Sequence, residues 1–205
     1  MSDPSAPGLH AAILAAGAST RFGSPKQLVR LSGTPILHQA IANAALVAGQ
    51  SVTVILGAHA RDLSPLLRQS AVSVVVNRGW QEGIASSIRA AVQSAPAGCE
   101  GLLLILADQI ALTGDDLARL FVAWRRHPVL VAAALHGGSP GLPAIFPRWA
   151  FADLMELRGD RDPRLVIRRN VDQVVRVPMP NAGIDLDTPE DLLQVEAGSD
   201  GRASP

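Results

Sequence analysis

The sequence predicts an α/β fold, a three-layer α/β/α sandwich around a mainly parallel sheet, and three observations predict it. Apolar runs at 10–15, 51–56, 72–76 and 101–107 are short and continuous rather than alternating, as strands covered on both faces are. Helix-forming segments intervene between them, which implies right-handed crossovers. A glycine-rich loop follows the first run, where such folds gather ligands.

His10 to Ala15 opens the chain's order as a buried strand running into Gly17. Thr34 is a candidate N-cap for a helix to Ala48, with Pro35 where a missing amide donor costs nothing and Gly49 as a left-handed stop. Ser51 to Leu56 (SVTVIL) is β-branched and reads as the second strand, and Asp62 to Gln69 as a short helix. Val72 to Val76 supplies a third strand and Gly83 to Ser94 a helix, and Gly101 to Ala107 (GLLLILA) is the most apolar strand. Thr113 and Asp116 have the spacing of a capping box and open a helix to about Arg126. Beyond His127, Leu130 to Leu135 reads as a strand and HGGSPGLP as a glycine- and proline-rich turn. Ala144 to Phe146 leads to a helix near Trp149 to Leu157, and Val174 to Val177 is a late strand. Thr188, Pro189 and Asp191 give a last helix an N-cap, a first-turn proline and an acidic first turn.

A chain of 205 residues fits one domain with its own core, here placed at 9–197, with small polar ends at 1–8 and 198–205 expected to be flexible. Lys plus Arg and Asp plus Glu both number 18, so no global field steers the protein to nucleic acid or to an anionic membrane. Any phosphate binding must therefore be local. The single Cys99 excludes an internal disulfide, and five scattered histidines offer no zinc-type spacing. No secretory signal pattern or membrane-length apolar run is visible, so a soluble, cytoplasmic protein is the expectation.

The stretch LAAGASTRFGSPK, Leu14 to Lys26, reads as a phosphate-binding loop. Gly17 and Gly23 permit close backbone approach, amides can face phosphate oxygens, and Arg21 and Lys26 supply local charge. It fits neither the GxxxxGK[ST] nor the GxGxxG pattern, and a glycine-rich surface loop with solvated cations is the plainer alternative. Asp108 follows GLLLILA at the sheet edge expected to carry that loop. A carboxylate there can bind Mg²⁺, which takes one or two protein carboxylates and completes its shell with phosphates and water, or it can simply cap the next turn. Asp185 and Asp187 face the same side if extended; one could complete a metal site, or Asp187 could belong to a helix cap. In NRGWQEGIASSIR, Asn77 to Arg89, Gly83 begins a helix whose first turns carry Ser86 and Ser87, suited to an anion or a base edge. The competing reading is a turn with Trp80 as a half-buried anchor.

Together these segments resemble the nucleotidyltransferases of the MobA-like family, whose signature is LAAGxSxRxGxxK, and most nearly the molybdenum cofactor cytidylyltransferase branch. NRGWQEGIASSIR, LADQ at Leu106, GLPAIFP at Gly141 and DLDTPEDL at Asp185 follow in the same order, so the likeness covers residues 10–195. It implies a Rossmann-like nucleotidyltransferase sheet and transfer of a nucleoside monophosphate from a triphosphate to a phosphorylated acceptor, with release of pyrophosphate. It assigns Leu14, Ala15, Ala16, Gly17, Ser19, Arg21, Gly23 and Lys26 to the triphosphate, and Asn77, Gly83, Ser86 and Ser87 to the base or ribose. Arg21, Lys26 and Asp108 become the catalytic set, Asp108 and Asp187 the Mg²⁺ ligands, and Gln109, Gly141, Pro143, Asp160 and Asp185 the acceptor side. LAAG in place of LAGG favours CTP over GTP, and the implied acceptor is the molybdopterin-type cofactor, with a molybdoenzyme as downstream partner. Two departures bear on the acceptor. Ile110 stands where the family usually has proline after Gln109, and GDRDPR at Gly159 replaces a GDxGAR pattern. A transferase for another small phosphorylated acceptor, or a non-catalytic accessory protein for a molybdoenzyme, stays open on these residues.

Overall fold

The computed structural model describes residues 8–186 together with Thr188 and Asp191. Nine strands are present among them: β1 (Leu9–Ala15), β2 (Arg30–Leu31), β3 (Thr34–Pro35), β4 (Val52–Leu56), β5 (Ser73–Val76), β6 (Gly101–Leu106), β7 (Val131–His136), β8 (Ser139–Pro147) and β9 (Val174–Pro178). Six α-helices accompany them: α1 (Ile36–Ala48), α2 (Ala60–Leu67), α3 (Ile84–Ser94), α4 (Gly114–Arg126), α5 (Phe151–Met155) and α6 (Arg164–Arg169). Seven strands form one sheet in the order β5-β4-β1-β6-β8-β7-β9, parallel throughout except for β8, which runs against both its neighbours.

Alternation along each strand sends consecutive residues to opposite faces. Ala11, Ile13, Val54, Leu56, Leu103 and Ile105 pack beneath α1, α2 and α4 through Leu37, Leu63, Leu117 and Trp124. Ala12, Leu14, Ile55, Leu102, Leu104 and Phe146 pack on the other face beneath α3, α5 and α6 through Ile88, Leu154 and Val166. The continuous apolar runs of β1, β4 and β6 are therefore two alternating sets, one for each helical layer, and the three-layer expectation holds.

Two expectations are corrected. Thr34 does not cap α1 with its side chain, because Thr34 and Pro35 form a hairpin strand paired with Arg30 and Leu31. The turn is Ser32-Gly33, both at positive φ, the geometry of a two-residue hairpin loop, and the Ile36 amide donates to the Val29 carbonyl at 2.9 Å. HGGSPGLP is a turn only at Gly137-Gly138; from Ser139 the chain is already β8, the longest strand. Pro143 is tolerated there because it lies within an irregularity of the β7–β8 ladder, between the Ala134–Gly141 and Ala133–Ala144 pairs, and Pro140 pairs with Leu135 just beyond it. The expected capping box of α4 is present: the Asp116 amide donates to Thr113 Oγ1 at 3.2 Å, and the Thr113 amide to Asp116 Oδ2 at 3.0 Å.

Of the final helix expected from Thr188, the structure describes Thr188 and Asp191, with the Thr188 amide donating to Asp191 Oδ2 at 2.7 Å; the rest lies outside the described residues. The expected flexible ends also lie outside them, apart from Gly8, whose amide donates to Glu100 Oε2 at 3.2 Å. No described helix is long and apolar enough to cross a membrane.

Candidate functional site

The carboxyl ends of β1, β4 and β6 lie side by side, and the segments that leave them enclose a cleft of about 490 Å³. One wall is the loop after β1. It turns at Ser19, which has φ +52° and accepts from the amides of Phe22 and Gly23 at 3.0 Å through its carbonyl. The Ser19 hydroxyl accepts from the Lys26 amide at 3.4 Å, and His59 Nε2 lies 2.9 Å from the Ala18 carbonyl, so the loop is tied at both ends. Among the described residues, the amides of Gly17, Ala18, Ser19 and Thr20 have no acceptor. Polar backbone that faces a cleft in this way suits an anion.

The opposite wall comes from the segment that enters α3. Asn77 anchors it: its side-chain amide donates to Ser86 Oγ at 2.8 Å and Ser87 Oγ at 3.0 Å, and its Oδ1 accepts from the Gly79 amide at 2.9 Å. Asn77 and Ser86 are thus spent on holding this wall, and Trp80, Gln81, Gly83, Ile84 and Ser87 line the cleft. Gly83 adopts φ +115°, and a Cβ there would lie 2.4 Å from Asp160 Oδ1 and 2.5 Å from the Gly159 carbonyl. Arg89 donates to both carboxylate oxygens of Glu82, at 2.9 and 2.5 Å, and to the Leu157 carbonyl at 2.7 Å. The Arg89 hydrogen bond holds the Glu82 carboxyl below its ordinary pKa. This clamp brings the segment carrying Asp160 against α3.

The floor is Leu106, Ala107 and Asp108 at the end of β6. Lys26 Nζ lies 2.5 Å from Asp108 Oδ2 and 3.1 Å from the Leu186 carbonyl, and the Leu186 amide donates to the Asp108 carbonyl at 2.9 Å. Two hard oxygens therefore converge on one cationic position, a donor chemistry that suits Mg²⁺. Among the described residues no group of three or more His, Cys, Asp or Glu side chains converges as a metal cluster. Asp187, the expected second carboxylate, lies outside the described residues.

The cleft thus brings together Leu14, Ala16, Gly17, Ser19, Arg21, Lys26, Gly83, Ser87 and Asp108, with Asp160 on the same lining. Asp160 was expected on the acceptor side, and the Arg89–Glu82 clamp is what carries it here. Ala15 belongs to β1 and Gly23 to the turn beyond the lining. Gln109, Gly141 and Pro143, expected on the acceptor side, do not line this cleft. Gln109 is 7% exposed, and its amide donates to the carbonyls of Leu142 at 2.9 Å and Ala182 at 2.8 Å. Its side chain braces β6 to β8 and is turned away from the cleft, and Gly141 and Pro143 are buried in β8. An added Cβ at Gly141 would lie 3.2 Å from His136 Nε2 and 3.6 Å from Arg164 Nε, so these two side chains cover the Gly141 backbone. Asp185 is exposed and bridges Gln109 through its backbone.

Gly57 escapes sequence reasoning. A Cβ there would lie 2.5 Å from the Ala16 carbonyl and 2.8 Å from Trp80 Cβ, so glycine lets the two walls meet. Its signal was present, a glycine immediately after the β4 run. Trp80, offered in the competing reading as a half-buried anchor, is half-buried and also lines the cleft, and Thr20, Phe22 and Gln81, which lie inside the two motifs but were not singled out, join it together with Gln27.

The family model for the MobA-like NTP transferase domain matches residues 11–174. A relative named nicotine blue oxidoreductase, from Paenarthrobacter nicotinovorans, is 29% identical over 95% of this chain and 100% of its own. The molybdenum cofactor cytidylyltransferase of Escherichia coli strain K12 is 24% identical over 88% of this chain and 92% of its own. Among solved structures, the homologue of Mycobacterium tuberculosis Rv0371c from Mycobacterium sp. strain JC1 superposes with a TM-score of 0.80 at 27% identity, covering 94% of this chain and 96% of that one.

Proposed function

The chain belongs to the MobA-like NTP transferase family, and from that premise we propose that it is a Mg²⁺-dependent cytidylyltransferase acting on a molybdopterin-type acceptor. The observation that carries this reading is the meeting of Arg21, Lys26 and Asp108 in one cleft with the open amides of Gly17 to Thr20. An acceptor phosphate is already a nucleophile at neutral pH and needs no base. An oxygen of that phosphate bonds to the α-phosphorus of CTP, the bond between the α-phosphorus and the bridging oxygen to the β-phosphorus breaks, and pyrophosphate leaves.

The obstacle is repulsion between the two anions, and positioned cations and amides answer it. Arg21 and Lys26 hold the triphosphate against the loop, while the wall of Trp80, Gln81 and Ser87 is the surface left for the base and ribose. Asp108, with Asp187 as partner, would hold the Mg²⁺, which when bound neutralises phosphate charge. LAAG in the loop and the E. coli relative support CTP and the pterin acceptor.

The test offers purified protein the molybdenum cofactor, Mg²⁺ and each of the four triphosphates. Pyrophosphate release with CTP is the expected result, and release with none of the four overturns the reading. Removing Arg21 or Asp108 should cost about 10²–10³ in rate, as loss of one preorganised electrostatic contact does. A second reading is favoured by the full-length likeness to a relative named as an oxidoreductase. It predicts an electron-transfer reaction on a small molecule in the same cleft, and no release of pyrophosphate from any triphosphate.

A further inference from the structure

Asp108 sits at the end of the central β6 strand with its carboxylate directed at the cleft, yet it already has a cation beside it. Lys26 Nζ is 2.5 Å from Asp108 Oδ2, and the two side chains are 15% and 23% exposed, so solvent screens the pair less than it would a surface pair. The same ammonium donates to the Leu186 carbonyl at 3.1 Å. A carboxylate oxygen and a carbonyl oxygen are the ligand types that a hard divalent cation takes. The lysine ammonium thus stands among ligands of the kind a metal would use, and a second cation cannot settle on Asp108 beside it without strong repulsion.

Lys26 is nevertheless also part of the cleft lining, together with Gly17, Ser19 and Arg21. Its backbone is pinned through the Ser19 hydroxyl at 3.4 Å, while its four-carbon stem lets the ammonium turn without moving the loop. A polyphosphate arriving along that loop offers it a denser negative charge than one carboxylate does.

Resting on the function proposed above, we propose that Lys26 is a placeholder for the divalent cation. In the nucleotide-free protein its ammonium holds the metal position at Asp108, and it leaves that position for the phosphates of the incoming triphosphate. The metal therefore enters with the nucleotide and not ahead of it. Lys26 has two successive partners, and the exchange links nucleotide binding to completion of the metal site. By linkage, whatever removes the ammonium from Asp108 raises metal affinity.

The experiment titrates nucleotide-free protein with Mn²⁺ alone, following the free-ion signal by electron paramagnetic resonance. Lys26→Met and Lys26→Gln should each bind Mn²⁺ more tightly than wild type, by about 5- to 150-fold, the usual range of such couplings. Mn²⁺ should correspondingly raise the melting temperature of both variants more than that of wild type, a readout that also reports whether each variant is folded. Adding Asp108→Asn to either variant should abolish the gain. Unchanged or weaker Mn²⁺ binding in the folded Lys26 variants overturns the proposal, and so does a gain that persists with Asp108→Asn. These titrations contain no acceptor and read no turnover. Failure of the transferase reading appears separately, as absence of pyrophosphate release.

Discussion

His10 shows how a single buried residue sets a pH limit unrelated to the cleft. It is 4% exposed at the start of β1, its Nδ1 lies 2.8 Å from Ser51 Oγ, and its Nε2 has no partner among the described residues. Burial lowers its pKa below the ordinary histidine value. The unfolded chain therefore binds a proton near pH 6.5 that the folded chain refuses, and the stability due to the neutral ring, complete above that pH, is lost as the pH falls below it. Urea midpoints between pH 8 and pH 5 should decline on the acid side, by at most about 1.4 kcal/mol per pH unit for one such group. His10→Leu should flatten part of the decline. Part should remain, because burial, followed by the charge of Arg164, lowers His136 in the same direction. An unaltered acid slope in His10→Leu would remove His10 from the account. The cleft shows the same dependence on individual atoms: Gly17, Ser19, Arg21, Lys26 and Asp108 were legible in the sequence because each carries a charge, a hydroxyl or a missing side chain at a strand end. The bracing role of Gln109 was not legible, because its motif position says nothing about where its amide protons go, and Leu142 and Ala182 accept them.

At the scale of the element, α3 owes its placement to what precedes it. Gly83 at φ +115° lets the chain turn from Trp80–Glu82 into the helix, and the Ala85 amide donates to the Gly159 carbonyl at 3.1 Å. Gly83→Ala would impose a backbone region that L side chains rarely adopt and drive a methyl to 2.5 Å from that carbonyl. The expected loss is about 1–3 kcal/mol of unfolding free energy, measured by urea denaturation, with the segment bearing Asp160 displaced from the cleft. A midpoint equal to wild type would show that the contact between Gly83 and the Gly159–Asp160 segment relaxes freely. The elements legible in the sequence were those with strong local chemistry: the buried strands, the α4 capping box and the Gly49 stop. The Arg30–Pro35 hairpin and strand β8 were not, since two-residue strands have no period to detect and prolines in HGGSPGLP mask a strand whose partners come from β6 and β7. Helix α6, six residues opened by Pro163, is too short to declare itself.

At the scale of the whole molecule, the cleft is assembled from segments far apart in the chain and held by cross-links between them. Lys26 reaches the carbonyl of Leu186, Arg89 reaches that of Leu157, and the Ala58 amide reaches that of Ala16 at 3.1 Å. The sequence could order these segments along one sheet edge, through the rule that ligands collect at strand carboxyl ends, but the distances between the walls depend on Gly57 and on the Arg89–Glu82 clamp. A ligand that spans both walls and the floor adds contacts to those that already join them. Such a ligand binds the folded chain and not the unfolded one, so it must raise stability by mass action, by about 2.7 kcal/mol at 100 times its Kd. For a chain of this size that is roughly 5–10 °C in melting temperature. CTP with Mg²⁺ should give this shift, the other triphosphates smaller ones, and CTP with a chelator much less, because triphosphate charge is then met by Arg21 and Lys26 alone. Asp108→Asn should bring the shift with Mg²⁺ down toward the chelated value. Equal shifts with and without Mg²⁺ in the wild type would place the nucleotide away from Asp108, and no shift with any triphosphate would empty the cleft of its assigned ligand.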